Sequence, residues 1–188
     1  MAKRNLQTKK QASAYSSPWS LKYRVGIMLW ALCSIFLFRP TPKFLSPWRV
    51  FLLKLFGAQI SGRVFVSESA RIKFPWNLAM EHRACIGPYC DIYNLAMIHI
   101  GKRATVSRHV YLCGGEHDTT TSLLPLVTGP IKIGADVFIG SNAFVAPGVS
   151  IGEGAVIGAC SVVVADAPAW KICVGNPCKA IRDREFKG

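Results

Sequence analysis

Acidic residues are scarce in this chain of 188 residues. There are ten Asp and Glu, and none precedes Glu68. Residues 1–67 hold 11 Lys and Arg; residues 68–188 hold 12 against the ten acids, a net +2. A strongly cationic first third thus precedes a nearly neutral body. That distribution is unlike the uniform positive field of a nucleic-acid-binding domain, so no nucleic acid is expected as a partner. Charged residues are only 18% and hydrophobic ones 51%, which excludes a disordered chain. With Gly 16 and Pro 11, collagen-like and low-complexity compositions are excluded too. No Cys-x2-Cys spacing occurs. The seven cysteines stand at 33, 85, 90, 113, 160, 173 and 178, and their two C-x4-C pairs, Cys85/Cys90 and Cys173/Cys178, are poor zinc signatures. They are expected as reduced thiols of an intracellular protein, several filling the core.

No cleavable signal is expected at the front of the chain, because Phe36-Leu37-Phe38-Arg39-Pro40 offers no small-residue cleavage site. Residues 1–24 are polar and basic, and the first dozen are expected to be mobile. The 14 uncharged residues 25–38 lie between Arg24 and Arg39. As a helix they would measure about 21 Å, short of a bilayer core of about 30 Å. Arg39-Pro40-Thr41-Pro42 breaks that segment. Residues 48–56 predict an amphipathic helix with Trp48, Phe51, Leu52 and Leu55 on one face. Two destinations for residues 19–56 are open: a membrane surface, with Trp19, Trp30 and Trp48 as interfacial anchors, or packing on the domain or a neighbouring subunit.

What the body does have is a six-residue repeat. Ile133, Ile139, Val145, Ile151, Ile157 and Val163 follow one another at intervals of six without a miss. Small residues follow most of them. The same step appears in other phases at Ile60/Val66/Ile72/Leu78, Ile86/Ile92/Ile98 and Ile100/Val106/Leu112. Six fits neither a helix nor one long strand. It fits a parallel β-helix whose coils have three short sides, each with one inward aliphatic. The predicted organisation is a basic, apolar helical segment over 1–56, the β-helix over 57–170, and a C-terminal tail over 171–188. The phase shifts predict loops, and the largest, residues 113–130, carries His117 in Gly114-Gly115-Glu116-His117-Asp118. Loops on a rigid scaffold are where reactive groups collect.

Ile133-Gly134-Ala135-Asp136-Val137-Phe138-Ile139-Gly140 and Gly175-Asn176-Pro177-Cys178-Lys179-Ala180 resemble the hexapeptide-repeat acyltransferases. Leu37-Phe38-Arg39-Pro40-Thr41-Pro42, Phe74-Pro75-Trp76-Asn77-Leu78, Asp91-Ile92-Tyr93-Asn94-Leu95 and Tyr111-Leu112-Cys113 with His117-Asp118 narrow the resemblance to the colanic acid biosynthesis acetyltransferases, over roughly residues 20–185. The resemblance implies a left-handed parallel β-helix, a homotrimer with active sites between subunits, and acetyl-CoA as donor. It places His117 as general base and the Ser141 backbone N–H near the thioester carbonyl. It sets Ser141 and Ala159 along the pantetheine arm, with Lys179 and Arg182 near the nucleotide phosphates. Asn94 and Asp118 become candidates for gripping the acceptor. Val164-Ala165 departs from the Thr-Lys of some sugar acetyltransferases, and Phe138 stands where relatives often have Trp. Imidazole suits the base role because its ordinary pKa lies near neutrality. The expected reaction is O-acetyl transfer to a sugar hydroxyl in surface polysaccharide biosynthesis, with a sugar or lipid-linked glycan as acceptor. A free sugar, serine or antibiotic acceptor, or a non-catalytic structural solenoid, are the alternatives. The four histidines show no zinc-triad pattern, so no metal is expected. The protein is expected in the cytoplasm, and at the inner face of the cytoplasmic membrane if the front segment engages lipid.

Overall fold

The computed structural model describes residues 19–120 and 122–185. The basic stretch up to residue 18, with its expected mobile start, lies outside them. From residue 59 onward the chain winds as a parallel β-helix with three faces. Face one stacks Gln59–Ile60, Leu78–Met80, Ile98–Ile100, Ile131–Ile133 and Ser150–Ile151. Face two stacks Phe65–Val66, Cys85–Ile86, Thr105–Val106, Phe138–Ile139, Val156–Ile157 and Lys171–Val174. Face three stacks Arg71–Ile72, Asp91–Tyr93, Tyr111–Cys113, Phe144–Val145 and Val162–Val163. All the repeat aliphatics from Ile133 to Val163 are buried and belong to one core. Each contributes roughly 1.5–3 kcal/mol of burial, which one coil alone could not collect.

The register explains the phase shifts. Ile60 pairs with Met80, Met80 with Ile100, Ile100 with Ile133 and Ile133 with Ile151. The first two coils are therefore longer than 18 residues. Their additional residues sit at the edge between faces three and one, in the turn Pro75–Asn77 and around Asn94–Leu95, and the third coil throws out its whole excursion there. That excursion is not an open loop. Gly115–His117 and Leu126–Thr128 pair antiparallel as a hairpin.

The final segment also differs from the expected tail. Lys171–Val174 continues face two, pairing with Val156–Ile157, and Lys179–Asp183 folds back antiparallel on it. At the other two edges the turns repeat coil upon coil. Arg103 and Asp136 occupy successive left-handed turn positions and form a two-pronged pair, Nε to Oδ1 at 2.6 Å and Nη2 to Oδ2 at 2.5 Å. That pairing holds the Asp136 carboxyl below the usual carboxylate range.

Two helices close the first coil. Helix α1 (Leu21–Cys33) starts at Ser20 and runs on through a wider turn, Ser34–Phe38; helix α2 spans Ser46–Leu55. The lowest strands would expose unpaired backbone groups, and the helices supply partners. Trp30 Nε1 donates to the Ile72 carbonyl at 2.7 Å, Ser46 Oγ accepts from the Val66 N–H at 3.1 Å, and Arg49 Nε donates to the Val66 carbonyl at 2.9 Å. The inward face of α2 is Arg49, Leu52 and Leu53, whereas Trp48, Phe51 and Leu55 face outward. This corrects the face predicted from spacing: a guanidinium took an inward position because the edge strand needed donors.

Candidate active site

The excursion of the third coil is anchored before it reaches its tip. Gly114 donates to the Tyr93 carbonyl at 2.8 Å, and a Cβ at Gly114 would stand 2.7 Å from that same oxygen, so only glycine lets the hairpin leave the face so closely. Leu126 of the returning strand clusters with Phe74 and Leu95, against which Trp19, Ile27 and Trp76 pack. The returning strand of the hairpin and α1 thus share one apolar cluster.

At the tip, His117 is exposed, and its Nδ1 lies 2.6 Å from the Leu124 carbonyl. A carbonyl only accepts, so Nδ1 carries the proton and Nε2 presents its lone pair outward. Leu124 holds a positive φ of 44°, a costly conformation for a bulky residue, and this turn aims its carbonyl at the ring. The hairpin positions one imidazole in one tautomer, fit to accept a proton.

The other acceptor candidates fare differently. Asp118 sits beside His117, but its Oδ1 accepts from the Thr120 N–H at 2.9 Å and from Thr120 Oγ1 at 2.6 Å, a side-chain turn that shapes the hairpin. Asn94 is fully buried, with Oδ1 accepting from the Phe74 N–H at 2.9 Å and Nδ2 donating to the Phe74 carbonyl at 2.6 Å. It joins consecutive coils under the hairpin and does not face an acceptor, which corrects the sequence expectation. Asn94→Ala is expected to cost about 1–3 kcal/mol by stranding the Phe74 groups, while acceptor KM of the folded protein stays unchanged; chemical unfolding and initial-rate kinetics check the pair of outcomes.

Ser141 and Ala159 lie on the edge between faces two and three, in successive coils. The Cys160 N–H donates to the Ser141 carbonyl at 2.9 Å. A Cβ at Gly140 would meet the Ala159 nitrogen at 2.6 Å, so the glycine is what lets these two turns stack. Ala143 N donates to the Gly140 carbonyl at 3.4 Å and Asn142 has φ 60°, which makes Ser141 the first central residue of a type II turn. Its N–H takes no acceptor among the described residues. Lys179 and Arg182 lie on the exposed fold-back strand at the C-terminal end of face two, beyond Ala159 along the solenoid axis. Ser141, Ala159 and Lys179, opposite Val174, thus rise along this edge, whereas Arg182, opposite Ile172, lies farther across face two. His117 stands at the other end of face three, so one chain does not bring the base and the Ser141 N–H together.

Face three carries residues that the sequence reading passed over. Tyr93, Tyr111 and Phe144 stack up its outer surface, with centroids 6.3 and 5.5 Å apart. Asp91 lies in the same rows, paired in register with Tyr111. Burial pushes the Asp91 carboxyl up, against the pull of Arg71 and Lys73, and also pushes the Tyr111 hydroxyl up. The available signal was alternation: Asp91, Tyr111 and Phe144 each immediately precede an inward repeat aliphatic and so must point out. The remaining histidines are distributed elsewhere. His99 pairs with Glu81 at 3.0 Å, His109 stacks on Tyr89 at 5.0 Å, and His82 Nδ1 accepts from the Arg63 N–H at 3.3 Å. Among the described residues no three His, Cys, Asp or Glu side chains gather as metal ligands. Cys90 is buried, and desolvation pushes its thiol up to about 11.

Comparison with known proteins fits this architecture. Residues 130–165 match the family model described as bacterial transferase hexapeptide (six repeats). The chain is 39% identical over 160 residues to the "Putative colanic acid biosynthesis acetyltransferase WcaF" of Escherichia coli (strain K12), covering 85% of this chain and 88% of that protein. The chain belongs to the hexapeptide-repeat acetyltransferases, in the family that includes WcaF. A solved maltose O-acetyltransferase from Clostridium difficile 630 superposes with a TM-score of 0.80 at 25% identity, over 89% of this chain and 90% of that one. A galactoside acetyltransferase solved in complex with coenzyme A shares the fold, with a TM-score of 0.71 at 22% identity over 90% and 86% of the two chains.

Proposed function

We propose that this protein transfers acetyl from acetyl-CoA to a hydroxyl of a sugar used in surface polysaccharide biosynthesis. The observation that carries the reading is the hairpin imidazole, whose Nδ1–H is tied to Leu124 and whose Nε2 faces out. In the reaction, Nε2 of His117 removes the hydroxyl proton as the sugar oxygen attacks the thioester carbonyl. The tetrahedral oxyanion is held by the Ser141 N–H. Its collapse forms the acetyl ester and expels the CoA thiolate, which takes the proton back from the imidazolium.

Because His117 and Ser141 flank opposite sides of face three, the reaction requires two chains. A homotrimer supplies this: the hairpin of one subunit reaches the Ser141–Ala159 edge of the next. CoA then runs up that edge toward Lys179 and Arg182, where cations favour its phosphates. The relatives named as maltose and galactoside acetyltransferases support a sugar acceptor, and WcaF supports one destined for an exopolysaccharide. The test is acceptor profiling with labelled acetyl-CoA against glycan intermediates of the host. Ester-linked label on a sugar is the expected result; label lost only to water would refute the assignment.

A further inference from the structure

The two helices that close the first coil leave a broad apolar surface uncovered. Along α1 and its extension, Leu21, Val25, Met28, Leu32, Ile35 and Phe36 recur at steps of three and four residues and are 44 to 75% exposed. A stripe at this spacing covers one side of a helix. Phe44, Trp48, Phe51 and Leu55 form a second exposed stripe over α2. The two meet where Trp48 Nε1 donates to the Leu37 carbonyl at 3.0 Å. Isolated exposed leucines are ordinary, but a continuous surface of this extent marks an interaction site.

Charge identifies the occupant. The uncharged stripes are bordered by Lys22, Arg24, Arg39, Lys43 and Lys54, and no acidic residue occurs in the first 67 positions. A second copy of this surface would set like charge against like. A bilayer rich in anionic lipid offers hydrocarbon for the stripes and negative headgroups for the cations. The helix Leu21–Phe38 is long and apolar enough by composition to cross a membrane. It is longer than the uncharged run because Leu21 to Arg24 join it. Its opposite side is nevertheless tied to the solenoid: Trp30, Cys33 and Phe38 are buried in the core, and the indole bonds to Ile72. While those contacts hold, the helix lies along a membrane and does not span it.

We infer that α1 and α2 form a docking face for an anionic lipid surface. The same face sets the orientation of the hairpin, because Ile27 of α1 and Leu126 of the hairpin pack in one cluster with Phe74 and Leu95. Docking therefore holds His117 near the lipid–water interface. It also deepens the proposed function, on which this last step rests, by selecting a lipid-linked sugar as acceptor.

Vesicle flotation with the full chain tests the docking. One set of vesicles contains phosphatidylglycerol and phosphatidylcholine in equal parts, the other phosphatidylcholine alone. The chain is expected to float with the anionic set, and several-fold less with the neutral set or at high salt, where the attraction is screened. The triple variant Leu32→Ser, Phe36→Ser, Phe51→Ser changes only exposed side chains. It should lose at least tenfold in lipid binding while its melting temperature and acetyl-CoA binding stay as in the parent. No flotation with anionic vesicles, or equal flotation of parent and triple variant, overturns the inference. So does a parent whose mass by light scattering exceeds that of the variant, since a second copy would then cover the face. A chain that floats but transfers no acetyl supports docking and refutes the enzymatic reading; one that transfers acetyl but never floats does the reverse.

Discussion

His117→Ala is expected to lower kcat by roughly 10²–10⁴-fold, the usual span for loss of a positioned general base. At about 1.36 kcal/mol per decade this corresponds to roughly 3–5 kcal/mol of transition-state stabilisation. In the proposed mechanism the ring meets the acceptor hydroxyl and the donor lies along the Ser141–Ala159 edge, so KM for acetyl-CoA should hardly move. His117→Asn sharpens the test. Its amide N–H can still reach toward the Leu124 carbonyl, so the turn is preserved while the outward lone pair of the imidazole is gone. Both variants should therefore be comparably slow. Steady-state rates with a sugar acceptor measure this, and turnover within about threefold of the parent in either variant would remove His117 from the chemistry.

Arg49→Met is expected to destabilise the fold by about 2–4 kcal/mol, from the loss of several hydrogen bonds to a buried charged group. Arg49 has no exposed surface. Its guanidinium donates to the carbonyls of Val66, Pro42 and Lys43 at 2.9 Å each and to Thr41 Oγ1 at 2.8 Å. The Glu68 carboxylate stands 3.8 Å away. Methionine fills a similar volume but removes the donor from all four oxygens, of which the Val66 carbonyl is in the buried part of the network. Arg49→Lys should recover little, since a single ammonium cannot present the planar fork that spans four acceptors. Urea unfolding monitored by tryptophan emission reads the loss directly. A cost below about 1 kcal/mol for Arg49→Met would mean that the helices do not secure the first coil as described.

The arrangement of Arg49 also shows where sequence reasoning ends. The six-residue step was legible because every coil must turn one aliphatic inward at the same place, and that requirement is written locally. The excursion carrying His117 was legible as a gap in the same pattern. Its hairpin pairing was not, because two short strands separated by a tip leave no periodic trace. Arg49 was absent from the inward face predicted for α2, since spacing alone cannot reveal that an edge strand 17 positions away lacks donors. Asn94 looked like a hydrogen-bonding group available to a sugar for the same reason: its partners, both on Phe74, lie 20 positions away. The aromatic rows of face three were visible only by reading outward-facing positions with the same care as the inward ones.

The fold-back of Lys179–Asp183 has a bearing on solubility. A stack of coils is in principle endless, since its top row of peptide groups matches the bottom row of another copy. Here the lower ends of faces two and three are capped by tryptophan, serine and arginine side chains, and the upper end of face two is occupied by a strand running the opposite way, with all five of its residues exposed. An antiparallel strand ending in Arg182 and Asp183 is a poor template for a parallel newcomer. Molecules of this protein are thereby kept from threading end to end into fibres.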